Sequence, residues 1–499
     1  MSVELEVKRY NELLNADPAL RYKDVKYLQH HIQKWKYGAE RKRMMLGNRY
    51  YVGEQDILRR FRTVIGTGGE VVRVDNLPNN RIVDNQYVKM VDQKVNYILS
   101  RPLTFDGDNE AYIEELDRVF NKQFHRTIKN IGKDSYNCGI GWLYVYLDES
   151  GEFKFKRFDP VNVIPFWKDD EHTELEFIIR MYDTTVWVDS TEKVITKVEV
   201  YHGQGIDFYT ELTGSLIFEK STPYLNFQLG SGKMQPATWN HFPVIPFKGN
   251  GEEIPLIMRC KCLQDAINTI VSDFQNAMQE DGGNTILILE NFEGENLAEF
   301  RHNLATYRAV KVCSGTMDGG KGDVRSLQIE VNAENYKTLL DIFKRALIEN
   351  CKGIDVKDEK LGGNPNQMNI LCMYFDIDQD ANEIETEYQC SFEQLLWFMN
   401  CYRNMSRVFA GLDEVENNDV EIIFNRDVMM NETEAITNCV QSVGIISDET
   451  ILSQHPWVKD VAFELDRLEE KKQKEMEQYA QESMIDGQTH KHNSGDDFE

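Results

Sequence analysis

The sequence predicts an α+β architecture, and three observations predict it. Helix-period apolar stripes occupy the chain from Lys23 to Asn137. A dense run of strand-like, aromatic-rich segments follows, from Trp142 to Phe247. Between Ile254 and Met405, two striped helices flank a compact insert and give way to a third, longer helix. Helices first and strands second is the pattern of segregated layers, whereas a parallel sheet would show regular alternation.

Taken in order, residues 1–22 are polar and expected to form a flexible N-terminus. From Lys23 to Asn48, Tyr27, Leu28, Ile32 and Trp35 make one apolar side of a helix. The cluster Arg41-Lys42-Arg43 reads as that helix's solvated face. Tyr50–Ile57 is a helix end broken at Gly53, and Gly66, Gly68, Gly69 and Pro78 mark residues 66–80 as a loop. Asn80–Asp84 is expected to open a helix running through Val88, Val91, Val95 and Ile98 and stopping at Arg101-Pro102. A further helix spans Ala111–Asn137, interrupted near Asn121. The period then changes. Trp142–Leu147 and Phe153–Phe158 read as a hairpin turning at Asp148–Gly151, followed by a strand at Val163–Trp167. Strands are also expected at Phe177–Tyr182, Val194–Tyr201, Asp207–Leu212, Ser215–Glu219 and Phe242–Phe247. Residues 23–253 thus form one domain with a mostly antiparallel sheet.

In the next helix, Leu256, Cys260, Leu263, Ile267, Ile270, Phe274 and Ala277 share one face. Tyr336, Leu340, Phe343, Leu347 and Cys351 repeat the pattern in its partner. The insert between them, 282–332, is too long for an ordinary connection and reads as a small folded unit. It is expected to contain strands at Thr285–Leu289, Val310–Cys313 and Val324–Glu330 and a helix at Asn296–Tyr307. Residues 353–367 are a polar Gly/Asn loop carrying Lys357 and Lys360. The long helix Met368–Phe409, a returning strand at Val420–Phe424, a helical segment 432–484 with Ser447 as a cap, and a disordered tail 485–499 complete the chain.

The chain of 499 residues has a net charge of −27, which argues against a nucleic-acid binder that grips phosphates with a basic footprint. It does not exclude DNA contact of a different sort, since a wall that lets a polyanion slide past should not grip it. No apolar run reaches the ~18 residues of a membrane span, and the N-terminus is charged from the start. The nine cysteines include no C-x-x-C pair, so reduced, mostly buried thiols in a cytosolic protein are expected. Gly315–Lys321 spells most of a phosphate-binding loop, but Gly322 stands where Ser or Thr must hold magnesium, and a hairpin tip is the better reading. Asp376, Asp378, Asp380 and Glu387 fit several positions of a calcium loop. Position 6 is Ala381 in place of glycine, and the helical pattern continues through it, so a solvated acidic helix face is favoured over a metal-dependent enzyme built on Asp376, Asp378 and Asp380. No catalytic centre, metal site or cofactor is expected.

Several stretches, in their order and spacing, resemble the portal proteins of tailed double-stranded DNA phages of the siphophage type. They are Tyr50–Gly53, Asn80–Asn85, Val91–Pro102, Tyr136–Trp142 through Phe158-Asp159-Pro160, Leu263–Asn268 with Ser272-Asp273, Ile422–Arg426, and Gly444–Thr450 with Pro456-Trp457-Val458. The resemblance spans roughly residues 40–475. It implies a portal fold with a wing (23–253), stem helices (254–281 and 333–352), a small α/β clip (282–332), a tunnel loop (353–367), a long helix with a returning wing strand (368–431) and a helical crown (432–484). It further implies a ring of about twelve subunits at one capsid vertex. Double-stranded DNA would be packaged and ejected through its channel. Partners would be the large terminase, a head-completion adaptor, and scaffolding and major capsid proteins, with no membrane. The location would be the virion, with assembly in the host cytoplasm. By position, Val356, Lys357, Lys360, Asn364 and Asn366 would approach DNA from the loop, and Glu280, Asp281 and Asp341 would face the channel. Glu293, Glu295, Arg301, Arg308 and Lys311 would dock clip partners. One departure stands out: Asn364–Asn369 replaces the Ser-Gly step and lysine often found before the family's long helix. The alternative reading is a non-portal head or scaffold protein.

Overall fold

The computed structural model describes residues 19–66, 69–75, 77–188, 190–212, 214–228, 234–239, 241–280, 285–290, 323–328, 333–355, 367–409, 420–426, 431–458, 461, 463–474 and 476. The chain divides into two compact units, residues 1–353 with 377–427 and residues 354–376 with 428–499.

After a helical turn at Ala19–Tyr22, the one helix expected over Lys23–Asn48 is two, α1 (Val25–Tyr37) and α2 (Ala39–Tyr51), broken at Gly38. Asp24 caps α1 by accepting from the N–H groups of Lys26 and Tyr27. β1 (Thr63–Ile65) and β2 (Val71–Arg73), the second of them inside the expected loop 66–80, pair as an antiparallel ribbon. Helix α3 (Gln86–Leu99) starts at Gln86 and not at Asn80, because Asn85 is its cap; its side chain accepts from Val88 N–H. After β3 (Thr104–Asp106), α4 (Glu110–Val119) and α5 (Lys122–Cys138) meet at Asn121, which caps α5. Gly139 ends α5 at φ +87°, and a Cβ there would lie 2.1 Å from the Glu253 carbonyl oxygen. Only glycine fits that turn.

The strands are β4 (Ile140–Leu147), β5 (Phe153–Phe158), β6 (Val163–Trp167), β7 (Leu175–Val188), β8 (Thr191–His202), β9 (Gly205–Leu212), β10 (Ser215–Thr222), β11 (Leu225–Gln228), β12 (Met234–Ala237) and β13 (Val244–Lys248). All pairings are antiparallel, but they build separate sheets in place of the single one expected. One has five strands in the order β10-β9-β8-β7-β6, another has three in the order β13-β4-β5, and β11 pairs with β12 alone. The division falls at Asp159–Asn162, where Asp159 caps a 3₁₀ turn opened by Pro160 and lifts the chain out of the first sheet. Trp142, Phe158, Phe177, Val198 and Val200 form a core with Leu28 and Ile32 of α1. Trp35 donates its indole N–H to the Val161 carbonyl at 3.0 Å, fixing α1 over that core.

Helix α6 (Ile257–Glu280) packs on α7 (Ala333–Asn350), with the Phe274 and Tyr336 rings 5.1 Å apart. Between them, β14 (Thr285–Glu290) pairs antiparallel with β15 (Asp323–Gln328). The expected helix 296–307, strand 310–313 and hairpin tip 315–321 lie outside the described residues. Helix α8 (Gln367–Phe409) buries Ile377, Ala381, Ile384, Tyr388, Phe392 and Leu395 at helical spacing. Its Tyr388 and Phe392 rings lie 5.0 and 5.5 Å from Phe247 of β13. The returning strand β16 (Glu421–Ile423) pairs with β3, setting Ile422 opposite Phe105.

In the second unit, Asn431 caps α9 (Glu432–Ser442), and Ser447 caps α10 (Asp448–Ser453) as expected. The Gln367 backbone N–H donates to the Glu434 carboxylate at 2.8 Å. Among the described residues, no helix is long and apolar enough to cross a membrane.

Candidate functional site at the base of the helix pair

The apolar stripe of α6 accounts for only part of what it buries. Leu256, Cys260 and Ile267 are buried, but Leu263, Ile270, Phe274 and Ala277 are only half covered. The fully covered line is polar: Gln264, Asn268, Ser272 and Asn276, one per turn. Asn276, Ser272 and Asn268 accept from the extended segment 80–85, and Gln264 from the first turn of α3. Asn80 N–H donates to Asn276 Oδ1 at 2.7 Å and Ile82 N–H to Ser272 Oγ at 2.9 Å. Asp84 N–H donates to Asn268 Oδ1 at 2.9 Å and Tyr87 N–H to Gln264 Oε1 at 3.0 Å. Gln264 Nε2 returns a bond to the Asp84 carbonyl at 2.8 Å. Four helical residues rise ~6 Å and two extended residues ~6.6 Å, so successive turns of α6 meet every second amide at Asn80, Ile82 and Asp84, and the next turn meets Tyr87 three residues on, where α3 has begun. The helix thereby acts as a strand partner. This is why Asn80–Asn85 is extended although it precedes a helix.

A charged cluster secures the same face. The Lys261 ammonium lies 2.7 Å from Asp56 and 2.6 Å from Asp265, and Arg49 lies 2.6 Å from Asp56. Tyr50 donates its hydroxyl to Asp265 at 2.5 Å. Burial pushes the Asp56 carboxyl up, but hydrogen bonds from Lys261 and Arg49 outweigh it and hold the group below its ordinary range. Arg60 reaches Asp273 at 2.9 Å, and Lys344 of α7 reaches Asp84 at 2.6 Å.

At the end of α7, a buried ion pair ties three helices together. The Lys94 ammonium of α3 is 2.7 Å from Asp380 of α8, and both side chains are buried. Lys94 also donates to the Lys352 carbonyl at 3.2 Å, just past α7. Tyr136 donates its hydroxyl to Asp380 at 3.1 Å, and Arg259 of α6 approaches the same carboxylate at 3.6 Å. Burial lowers the Lys94 pKa despite the facing Asp380.

The acidic run 376–380 is therefore only partly the solvated face that the sequence suggests. Asp376 is exposed, and Asp378 accepts from Tyr97 and faces Arg426 at 3.4 Å. Asp380 is buried against Lys94, a correction that no local pattern signals. The three carboxylates take separate cationic or solvent partners and do not converge. Among the described residues, no group of three or more His, Cys, Asp or Glu side chains is arranged to hold a metal ion. Cys260 is buried and Cys262 exposed, on different sides of α6 as expected. Cys138, Cys351 and Cys439 are also buried, whereas Cys372 and Cys390 are exposed. The buried thiols are thus half of the story.

Of the residues singled out by position, Asp341 is exposed on α7. Glu280 is the last residue of α6, and its side chain is outside the described set, as is the whole of Asp281. Val356, Lys357, Lys360, Asn364 and Asn366 lie outside the described residues, and so do Glu293, Glu295, Arg301, Arg308 and Lys311.

Comparison with known proteins bears on what this framework serves. The family model described as "Phage portal protein, SPP1 Gp6-like" matches residues 30–478. The chain belongs to that portal family. The portal protein of Bacillus phage SPP1 is 28% identical over 444 residues, covering 88% of this chain and 84% of that protein. The portal protein of Clostridium phage phiCD119 is 28% identical over 446 residues, covering 87% and 94%. A chain in the solved neck of an empty GTA particle is similar at TM-score 0.38 and 10% identity, covering 78% of this chain and 94% of that one. The portal family is a structural one, and its members form oligomeric rings in the virion.

Proposed function

We propose that this chain is the portal subunit of a tailed phage: a ring at one capsid vertex through which the double-stranded genome is packaged and later ejected. The family match across residues 30–478 carries the reading. Residues 23–253 with β16 are the wing, α6 and α7 the stem, 282–332 the clip, 353–367 the tunnel loop and 432–484 the crown. The ring has about twelve subunits and docks the large terminase through the clip, then the head-completion adaptor. Scaffolding and major capsid proteins meet the ring during assembly in the host cytoplasm. The subunit performs no catalysis.

The physics of the chain supports this. One flank of the α6–α7 pair is bonded to its own subunit through the polar ladder and the Lys261 cluster, while Met258, Met278, Leu339 and Ile342 remain exposed on the pair. Such a pair suits lateral packing in a ring. A subunit of net charge −27 lines a channel that repels DNA from its wall, so phosphates are not held and translocation meets little friction. On this reading Glu280, Asp281 and Asp341 face the channel, while Val356, Lys357, Lys360, Asn364 and Asn366 touch DNA in transit. Negative-stain imaging and native mass spectrometry of the purified chain are expected to reveal closed rings with a central hole. A chain that stays monomeric across protein concentrations, salts and scaffold addition would sink the proposal.

A further inference from the structure

The ribbon β1–β2 is a two-stranded sheet whose own side chains are all exposed. It has three residues per strand, all six exposed, with Val64 opposite Val72 and Ile65 opposite Val71. Ile65 and Val71 are 79% and 74% exposed, so among the described residues that apolar pair is left largely uncovered. No third strand joins the ribbon among the described residues. A lone two-stranded ribbon in water is marginal, and its open edges and apolar faces call for a cover.

Its base, in contrast, is fixed. Arg60 is paired with Asp273 of α6, Asn79 donates to the Arg60 carbonyl at 3.3 Å, and Val74 N–H donates to the Arg62 carbonyl at 3.0 Å. The guanidinium groups of Arg73 and Arg81 lie over the Phe61 ring at 4.0 and 5.3 Å. The ribbon is thus held out from α6 on a rigid mount.

Charge says what covers it. Residues 59–81 contain five arginines (59, 60, 62, 73, 81) against Glu70 and Asp75, and with Asp273, which Arg60 and Arg62 share, the ribbon and its mount still carry a net +2 in a chain whose total is −27. This basic, apolar patch complements the acidic surface that every copy of the chain carries over the rest of its length. A ring contact is heterologous, so two different patches of one sequence must fit each other. From these observations we infer that β1–β2 is a subunit-to-subunit clasp, docking on the acidic flank of the next copy in the ring. The inference rests on the ring reading above and names the surface it uses.

The test compares the full chain with two variants, Ile65→Ser/Val71→Ser and Arg59→Glu/Arg73→Glu. Assembly is followed by sedimentation velocity and native mass spectrometry, with far-UV circular dichroism as the check on folding. At a concentration where the unaltered chain is fully assembled, each folded variant is expected to lower the assembled fraction at least about tenfold. Hydrogen exchange of the unaltered chain supplies a second readout free of mutation: amides of 63–73 should slow on passing from monomer to ring. If the unaltered chain forms rings while both variants assemble equally well, or the 63–73 amides exchange alike in both states, the clasp is overturned. If the arginine variant instead lowers double-stranded DNA binding with assembly intact, the patch serves nucleic acid and the clasp is again overturned. If the unaltered chain never assembles, it is the ring reading that has failed.

Discussion

Lys94 and Asp380 meet at the point where α3, α6 and α8 converge on the end of α7. Removing one partner of such a buried pair strands the other in low dielectric. Lys94→Met is therefore expected to cost roughly 3–5 kcal/mol in a denaturant titration, and Lys94→Met/Asp380→Leu much less than the sum of the singles. Additive losses would mean that the pair contributes no coupling. Asp134 offers a pH-dependent counterpart. Burial pushes its carboxyl up to about 6, against the opposing pull of the Arg157 guanidinium. The folded chain then binds the proton more tightly than the unfolded one. Stability from this group is present below the ordinary carboxylate range and is lost as pH rises toward 6. The stability of the unaltered chain minus that of Asp134→Asn should fall by on the order of 2–3 kcal/mol between pH 4 and 6 and stay flat above. A difference that rises over that window would reverse the assignment. Neither pair is legible in the sequence. Asp380 sits in an acidic run that reads as solvent-facing, and its lysine lies on a helix far away in the chain.

The ladder on α6 sets what can be read at the scale of elements. Strong 3.6-residue periodicity makes α1, α3, α6, α7 and α8 legible, and β-rich composition does the same for β4 to β10, because burial of one face imposes those patterns. The helix break at Asn121 and the cap at Ser447 are equally local. What is not legible is a helix whose most buried line is Gln264, Asn268, Ser272 and Asn276, since polarity on a helix ordinarily marks solvent. Sequence pattern likewise makes Asn80–Asp84 a helix start and places β2 inside a loop, where the structure has an extended segment and a strand. A ladder that substitutes for a strand makes a specific prediction. Asn268→Leu leaves the Asp84 amide and the Gln55 side chain without their partner and should cost about 1–3 kcal/mol. Hydrogen exchange at Ile82 and Asp84 should accelerate, while the amides of α5 remain unchanged. Uniform acceleration across both segments would show global destabilisation and not a local loss of pairing.

At the scale of the whole molecule, a charge of −27 per subunit must be reconciled with a reading in which DNA passes through the assembly. Tight DNA binding depends on releasing counterions from phosphates neutralised by Lys and Arg, and each neutralised phosphate steepens the salt dependence by about one unit. A conduit needs the opposite, because every phosphate held must be released again as the chain advances. Assembled rings should therefore bind linear double-stranded DNA more weakly than about 10⁻⁴ M near physiological salt. The slope of log affinity against log salt should be no steeper than about −2. If the loop makes the few contacts, as proposed, Lys357→Ala/Lys360→Ala should flatten even that slope without changing the assembled fraction. Fluorescence anisotropy across a salt series measures both quantities. A slope of about −6 or steeper would mean that the ring grips its DNA through a basic surface, and a low-friction acidic channel would then be untenable.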